Sequence, residues 1–380
     1  MTVTVCFLTR NHADCVGRAV SSVRDLGHCI LVADTGSTDA TLEVARAAGA
    51  ETVAIPWNDD FAAACNATFD RADGDWILWL NPDEELLDAG EIRSALADET
   101  AFAYRLPVRQ KHRPDDDSGT VGREERLFRR DPDLRYVGRV HPQFTTSLDQ
   151  LAVARGQRVK PLEATVVRHA YLSTPTPEKM RWVVRLLEAE LKDRPDRLGV
   201  KIELGRNLLW LNDPRGHALL AEAAQVVSKS LRQSSAPDPA VGMLFEYLLN
   251  ADPTKVETEL NRDAVKALVP LWFGRTPPVL WAAAQERFRV NDFAAAAKHL
   301  DALLEIGSTG WYDSPGFDPD IVGISAAMAL GACYLNLQNW MLARACFEHY
   351  CDHPKHGELA RRGYAEADAK WRAGLKDKKS

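Results

Sequence analysis

The run Asn81-Pro82-Asp83-Glu84-Glu85 follows the apolar stretch 75–80 and sets three carboxylates where a strand should end. A carboxylate there can ligate a hard cation such as Mg2+ or Mn2+, which takes oxygen from one or two acids and from substrate phosphates. The same residue types also begin helices, and Pro82 suits a first helical turn. The two readings are compatible: Pro82 and the Glu pair can open a helix while Asp83 faces a metal. Asp34 holds an equivalent place in ADTGSTDAT (33–41), where Gly36 permits a tight turn and Ser37 or Thr38 can cap a helix beginning near Asp39. Its carboxylate could accept hydrogen bonds from a base or ribose, or the segment could be a capped turn without a ligand. A third acidic loop, WNDDFAAACN (57–66), carries Asp60 and Asn66.

Other groups are less specific. His141 in GRVHPQF and His169 in VVRHAYL sit in or beside apolar segments, where a hydrogen-bonded structural histidine is the commoner role and a ligand the rarer. Arg126 in EERLFRR has a planar fork suited to a diphosphate or to a surface ion pair, and Glu124 and Glu125 beside it are candidate bases. No Walker loop, no G-x-G-x-x-G after the first apolar run and no G-x-S-x-G turn occurs.

These loops need a scaffold. Apolar β-type runs at 2–9, 29–34, 51–56 and 75–80 alternate with helical patterns at 12–26, 38–48 and 60–72. That alternation predicts an α/β domain with a mostly parallel twisted sheet, whose ligands sit beyond the carboxyl ends of the strands. Strands are expected at 101–109, 125–130 and 134–140, and the polar segment 111–120 has the composition of a mobile flap. From about Thr176 the pattern is helical throughout, and 291–300 echoes 338–347 at an offset of 47 residues. Degenerate helical-hairpin repeats or an irregular bundle both account for that echo. The expected domains are therefore residues 1–175 and 176–380, the second all-α.

Composition narrows the class. With 380 residues, 46% hydrophobic and 27% charged, the chain reads as soluble and globular. A net charge of −7 argues against a nucleic-acid coat. Seven scattered cysteines without metal-ligand spacing point to a reduced, cytoplasmic chain, and no segment reads as a membrane span or a secretion signal.

Taken in order, VCFLTRNHA (5–13), ILVADTGSTDAT (30–41), WNDDFAAACN (57–66), GDWILWLNPDEEL (74–86), RLFRR (126–130), YVGRVH (136–141) and RHAYL (168–172) resemble the nucleotide-sugar glycosyltransferases of family 2, with the GT-A fold. The following tetratricopeptide-like helices are similar to those of the bacterial peptide S-glycosyltransferase subgroup. The resemblance implies that Thr9, Arg10 and Asn11 lie beside the nucleotide, that Asp34 binds its base, and that Ser37, Asp39, Asp60 and Asn66 line the same pocket. It places Asn81-Pro82-Asp83 on the D-x-D motif, with Asp83 ligating Mn2+ or Mg2+ and His169 or His141 completing the ligands. Asn81 replaces the first Asp of that motif, Cys65 replaces the Arg of an Arg-Asn pair, and Pro142 follows His141 where the family often has Glu.

The implied reaction is an inverting transfer from a nucleoside-diphosphate sugar such as a UDP-sugar to a hydroxyl or thiol, with Glu125, Glu124 and Glu84 as bases in that order and Arg126 assisting the diphosphate. The helical domain would present a groove for a peptide, protein or glycan acceptor, or mediate homo-oligomer formation. The alternative is a non-catalytic nucleotide-sugar-binding or scaffold protein on a decayed transferase domain, favoured by Asn81, Cys65 and Pro142. A nucleotidyltransferase would need a glycine-rich loop that LTRNHADCVGR does not supply.

Overall fold

The computed structural model describes residues 1–26, 28–111, 120–169, 176–251, 262–309, 317–354 and 356–377. The expected flap, apart from its two end residues, lies outside them. The chain divides into two compact units, Met1–Asp196 and Arg197–Ser380.

The first unit is built on β1 (Val3–Thr9), β2 (Cys29–Asp34), β3 (Glu51–Ala54), β4 (Trp76–Leu80), β5 (Glu84–Leu86), β6 (Ala101–Gln110), β7 (Thr120–Arg129), β8 (Tyr136–Val137), β9 (Gln143–Phe144), β10 (Arg158–Pro161) and β11 (Val166–Arg168). The main sheet runs β3-β2-β1-β4-β7-β6-β11-β5, with β10 beside β6, and β8 and β9 form a separate ribbon. The four strands from β3 to β4 are mutually parallel, β7 is antiparallel to both its neighbours, and β5 is antiparallel to β11. The strand expected at 134–140 shrinks to the two residues of β8 because its partner β9 offers only two.

β1 and β4 are continuous apolar runs because both faces of a central parallel strand are covered. Val3, Val5 and Phe7 pair with Trp76, Leu78 and Leu80, and all six belong to one core. That core is completed by α1 (Val16–Ser22), α2 (Thr41–Ala47) and α4 (Ala89–Ala95). The alternate residues Cys6, Ile77 and Trp79 face α3 (Phe61–Phe69) and α5 (Leu148–Ala154). Each fully buried Leu or Phe contributes about 1.5–3 kcal/mol. A sixth helix, α6 (Pro177–Asp193), belongs to this unit rather than to the helical region that the sequence pattern assigned it to. Buried Glu190 on α6 accepts from the Arg139 backbone N–H at 2.7 Å, and Asp193 pairs with the Arg139 guanidinium at 2.6 Å.

The second unit holds α7 (Leu198–Trp210), α8 (Arg215–Ser228), α9 (Val241–Asn250), α10 (Arg262–Trp272), α11 (Pro277–Arg289), α12 (Phe293–Thr309), α13 (Ile324–Asn336), α14 (Trp340–Glu348) and α15 (Gly357–Asp377). The 47-residue echo is real in three dimensions: it carries α11 onto α13 and the start of α12 onto the start of α14. Both pairs turn on a left-handed residue, Asn291 (φ 60°) and Gln338 (φ 57°), and a third hairpin, α7–α8, turns on Asn212 (φ 59°). Each is closed by the same two bonds that satisfy the last carbonyls of the first helix, as with Asp292 N–H to Arg287 at 2.9 Å and Asn291 N–H to Phe288 at 3.1 Å. Glycines allow α7 and α8 to cross closely, since a Cβ on Gly216 would meet the Gly205 carbonyl at 2.4 Å. No described helix is long and apolar enough to cross a membrane, and all seven cysteines are free thiols.

Candidate active site

The run 81–85 begins no helix. After β4 it makes a tight turn, closed by Glu84 N–H to the Asn81 carbonyl at 3.0 Å, and continues as β5; the helix starts at Ala89, capped by Asp88. The competing use of the acidic knot is therefore a turn and a buried ion cluster. Glu84 is fully buried and accepts from Asn81 N–H at 2.8 Å, Asn81 Nδ2 at 3.0 Å, Arg126 Nη2 at 2.8 Å and Arg168 Nε at 2.7 Å. Burial alone would push its carboxyl up, but Arg126 and Arg168 outweigh that and hold it below the ordinary value. Glu84 cannot take a proton from an acceptor, because both its oxygens are spent inside the protein.

Arg126 is likewise not a fork presented to a diphosphate. It is 3% exposed, and its Nη2 is divided between Glu84 and Glu124, both at 2.8 Å. Glu124 also meets Arg168 at 3.4 Å and keeps a third of its side chain exposed. Glu125 goes elsewhere: it pairs with Arg105 at 2.9 Å, and Arg105 pairs with Asp149 on α5 at 2.6 Å. Neighbouring residues on a strand face opposite ways, so the cluster around Asp83 receives Glu124 and not Glu125.

Asp83 is half-buried on the turn, and its carbonyl accepts from the His169 N–H at 2.9 Å. The His169 ring nitrogen Nε2 lies 2.8 Å from Glu85 Oε1, and Glu85 also pairs with Arg18. His141 is exposed on a left-handed backbone (φ 44°). The expected ligands were Asp83 with His169 or His141: His169 donates its N–H to the Asp83 carbonyl, and among the described residues no group of three or more His, Cys, Asp or Glu is gathered to hold a metal. The Asp83 carboxylate fits a hard cation shared with a diphosphate, since such ions use one or two acids and keep other oxygens from substrate and water.

Around the ends of β1, β2 and β3 lies a cavity of about 360 Å3, lined by Leu8, Thr9, Arg10, His12, Thr35, Trp57, Phe61, Lys179 and Trp182. Its wall is aromatic: Trp57 meets Phe61 edge-on at 4.9 Å, and Trp182 lies 6.2 Å from Trp57 and 5.9 Å from Phe61. Its floor is polar, with His12 Nδ1 3.2 Å from the Thr9 hydroxyl. Burial pulls His12 below the ordinary imidazole value; Asp83, Asp14 and Asp39 oppose it and Lys179 adds to it. The field of Asp83 thus reaches the cavity floor.

The flanking polar residues build the loops. Asp34 accepts from the Gly36 and Ser37 N–H groups, both at 3.0 Å, and from the Ser37 hydroxyl, so it closes its own turn, where Gly36 has φ 104°. Ser37 in turn receives Asn11 N–H at 2.8 Å, and Asn11 accepts from Thr38 N–H at 2.8 Å, which ties the end of β1 to the end of β2. Asp39 receives Thr41 N–H at 3.0 Å and Ala13 N–H at 3.2 Å. Asp60 caps α3 through Ala63 N–H at 2.9 Å. Asn66 spends its whole amide on the Tyr136 backbone, at 2.9 and 2.8 Å. Of the residues assigned to the nucleotide, Thr9 and Arg10 line the cavity directly. His12, Trp57, Phe61, Lys179, Trp182 and Arg168 escape the sequence reading. An aromatic pair at i, i+4 after a strand end is a signal for Trp57 and Phe61; nothing local marks the others.

Residues 4–160 match the profile of the family described as "Glycosyl transferase family 2". A TPR repeat-containing protein of Synechococcus elongatus is 34% identical over 260 residues, 65% of this chain and 60% of that protein. An uncharacterized glycosyltransferase of Rickettsia bellii is 30% identical over 118 residues, 30% of this chain and 40% of that protein. The chain thus spans 60% or less of the length of these relatives. Mannosyl-3-phosphoglycerate synthase from Rubrobacter xylanophilus overlaps 51% of this chain and 75% of its own at 18% identity, with a TM-score of 0.34, too low to bear on the site. Residues 4–160 are thus similar along their length to family 2 glycosyltransferases, and a unit of helices follows them in the chain.

Proposed function

We propose that the sheet unit transfers a sugar, with inversion, from a nucleoside-diphosphate sugar to an acceptor hydroxyl or thiol. The observation that carries this reading is that the adjacent parallel strands β1 and β4 end side by side, β1 in the aromatic-walled cavity through Thr9 and Arg10 and β4 in the Asp83 turn that Glu84 closes. A base stacks against Trp57 or Trp182, and Arg10 and Lys179 bring positive charge to the diphosphate. Asp83 would hold Mn2+ or Mg2+, and the ion, when bound, would supply charge stabilisation for the departing diphosphate. Glu124 takes the acceptor proton while the acceptor oxygen or sulfur bonds to the anomeric carbon and the diphosphate leaves from the opposite side. Arg168 and Arg126 hold Glu124 in place.

Asn81, Cys65 and Pro142 were the grounds for a decayed scaffold, and the first two have roles in the fold. Asn81 donates to Glu84, and Cys65 is buried in the core of α3, its thiol pushed up to about 12 by burial. Both have structural work that an active transferase also needs, which weakens the scaffold reading. The acceptor class we favour is a peptide, protein or glycan met in a reducing compartment, with the helical unit as its docking surface or as a self-association surface.

The test is a thermal-shift panel of UDP-, GDP- and dTDP-sugars with and without Mn2+, followed by turnover of whichever sugar binds. Asp83→Asn should lower kcat at least about 100-fold with an unchanged melting curve. Near-parental turnover in that variant would remove Asp83 from the reaction.

A further inference from the structure

Sharing Trp182 with the first cavity, the sheet unit has a second of about 340 Å3, lined by Asn58, Asp59, Arg139, Trp182, Arg185 and Lys192 among others. Trp182, Arg185 and Lys192 share one stripe of α6, at intervals of three and seven residues, and line this cavity with Asn58 and Asp59 from the loop after β3. The acids at this cavity are already engaged. Asp59 accepts from the Trp57 indole N–H at 2.9 Å, and Asp193 accepts from Arg139 Nε at 2.6 Å. Arg185 and Lys192 enter no ion pair among the described residues, so the lining carries a surplus of positive charge over matched acids. A cavity of this size holds a small molecule, and an Arg fork beside a Lys suits an oxyanion.

We propose that this cavity binds a small oxyanion-bearing ligand, through Arg185 and Lys192, and that its occupancy alters donor affinity through the shared Trp182 wall. Trp182 lines both cavities, so the ligand and the nucleotide share it as a wall. Any preference of the first ligand for one position of Trp182 changes the affinity of the second, and by linkage the reverse holds equally. Only the coupling rests on the proposed transferase reading; the anion site stands on its own geometry.

The experiment is calorimetric titration of the full chain with inorganic phosphate and, separately, with acetate, which distinguishes a phosphate from a carboxylate ligand. Saturable binding of either should weaken at least tenfold in Arg185→Ala/Lys192→Ala and persist in Lys179→Ala, which alters only the first cavity. Binding unchanged in the double variant, or no saturable binding of either anion in the parent, overturns the site. With the site occupied, affinity for the best nucleotide sugar should change at least twofold, and Trp182→Ala should abolish that change. An anion site with no effect on donor affinity overturns the coupling, whereas failure of every nucleotide sugar to bind removes the donor reading and leaves the anion result intact.

Discussion

The sheet unit buries Glu84 against Arg126 and Arg168, with Asp34, His169 and Glu190 also inside, whereas the helical unit buries one charged side chain among its described residues, Glu286, beside Lys266. The two cavities differ in the same sense. The sheet unit's cavity at the strand ends sets Thr9, Arg10, His12 and Lys179 against aromatic rings, while the helical unit has one of about 400 Å3 lined mostly by Trp281, Phe288, Leu300 and alanines. Buried charge is costly unless it is matched, so a fold retains it where a position must be held. In the sheet unit that position is the Asp83 turn. The helical unit has no such turn to hold, and it is built from apolar packing and a repeated hairpin.

The largest expected effect is on that ion cluster. Glu84→Leu leaves the buried Arg126 and the partly buried Arg168 without their shared carboxylate and should cost about 3–5 kcal/mol in urea unfolding. Glu286→Leu should cost no more than about 2 kcal/mol, because Lys266 keeps 14% of its side chain exposed and can reach water along its stem. Equal losses would break the comparison.

Acid sharpens it. Glu84 titrates lower folded than unfolded, so its contribution is complete above the ordinary carboxylate range and is lost as pH falls through the lowered value. Stability measured from pH 6 down to roughly 2 should therefore fall less steeply in Glu84→Gln than in the parent, the variant starting from a lower plateau. Parallel curves would show that Glu84 does not carry that limb.

Next in size is the cavity wall. Trp182→Ala should weaken nucleotide-sugar binding by about 1–3 kcal/mol, the range of a lost base–aromatic stack, and Trp281→Ala in the helical unit should leave it unchanged. Calorimetry on both variants decides whether the polar-floored cavity is the donor site. The smallest effect is in the hairpins. Gln338 occupies a left-handed turn where the other two hairpins have Asn, so Gln338→Gly should raise stability by up to about 1 kcal/mol in thermal unfolding. A loss there would mean that the Gln338 side chain contributes more than its backbone costs.

Much of the scaffold was legible because it is local. Strands β1, β2 and β4 are apolar runs of strand length, the 47-residue echo follows a repeated turn, and the acidic loops fall at strand ends as predicted. The short antiparallel elements were not legible. β5 has three residues and β8 two, and each exists only because a distant partner, β11 or β9, lies beside it. Reading 81–85 as a helix start failed for this reason: capping is a local preference, and pairing with 166–168 overrode it.

The site divides along the same line. The sequence alone determined the four parallel strands, the loops that carry Thr9, Asp34 and Asp83, and the likeness to a known family, because strand periodicity and motif spacing are written within a few neighbouring residues. Only the tertiary structure decided which charges meet: that Arg168 reaches Glu84 through the β5–β11 register, that Glu124 rather than Glu125 joins them, and that Lys179 and Trp182 close the cavity from a helix assigned elsewhere by pattern. Those contacts join residues more than forty positions apart, and no local preference encodes an approach that the packing of the whole sheet must create.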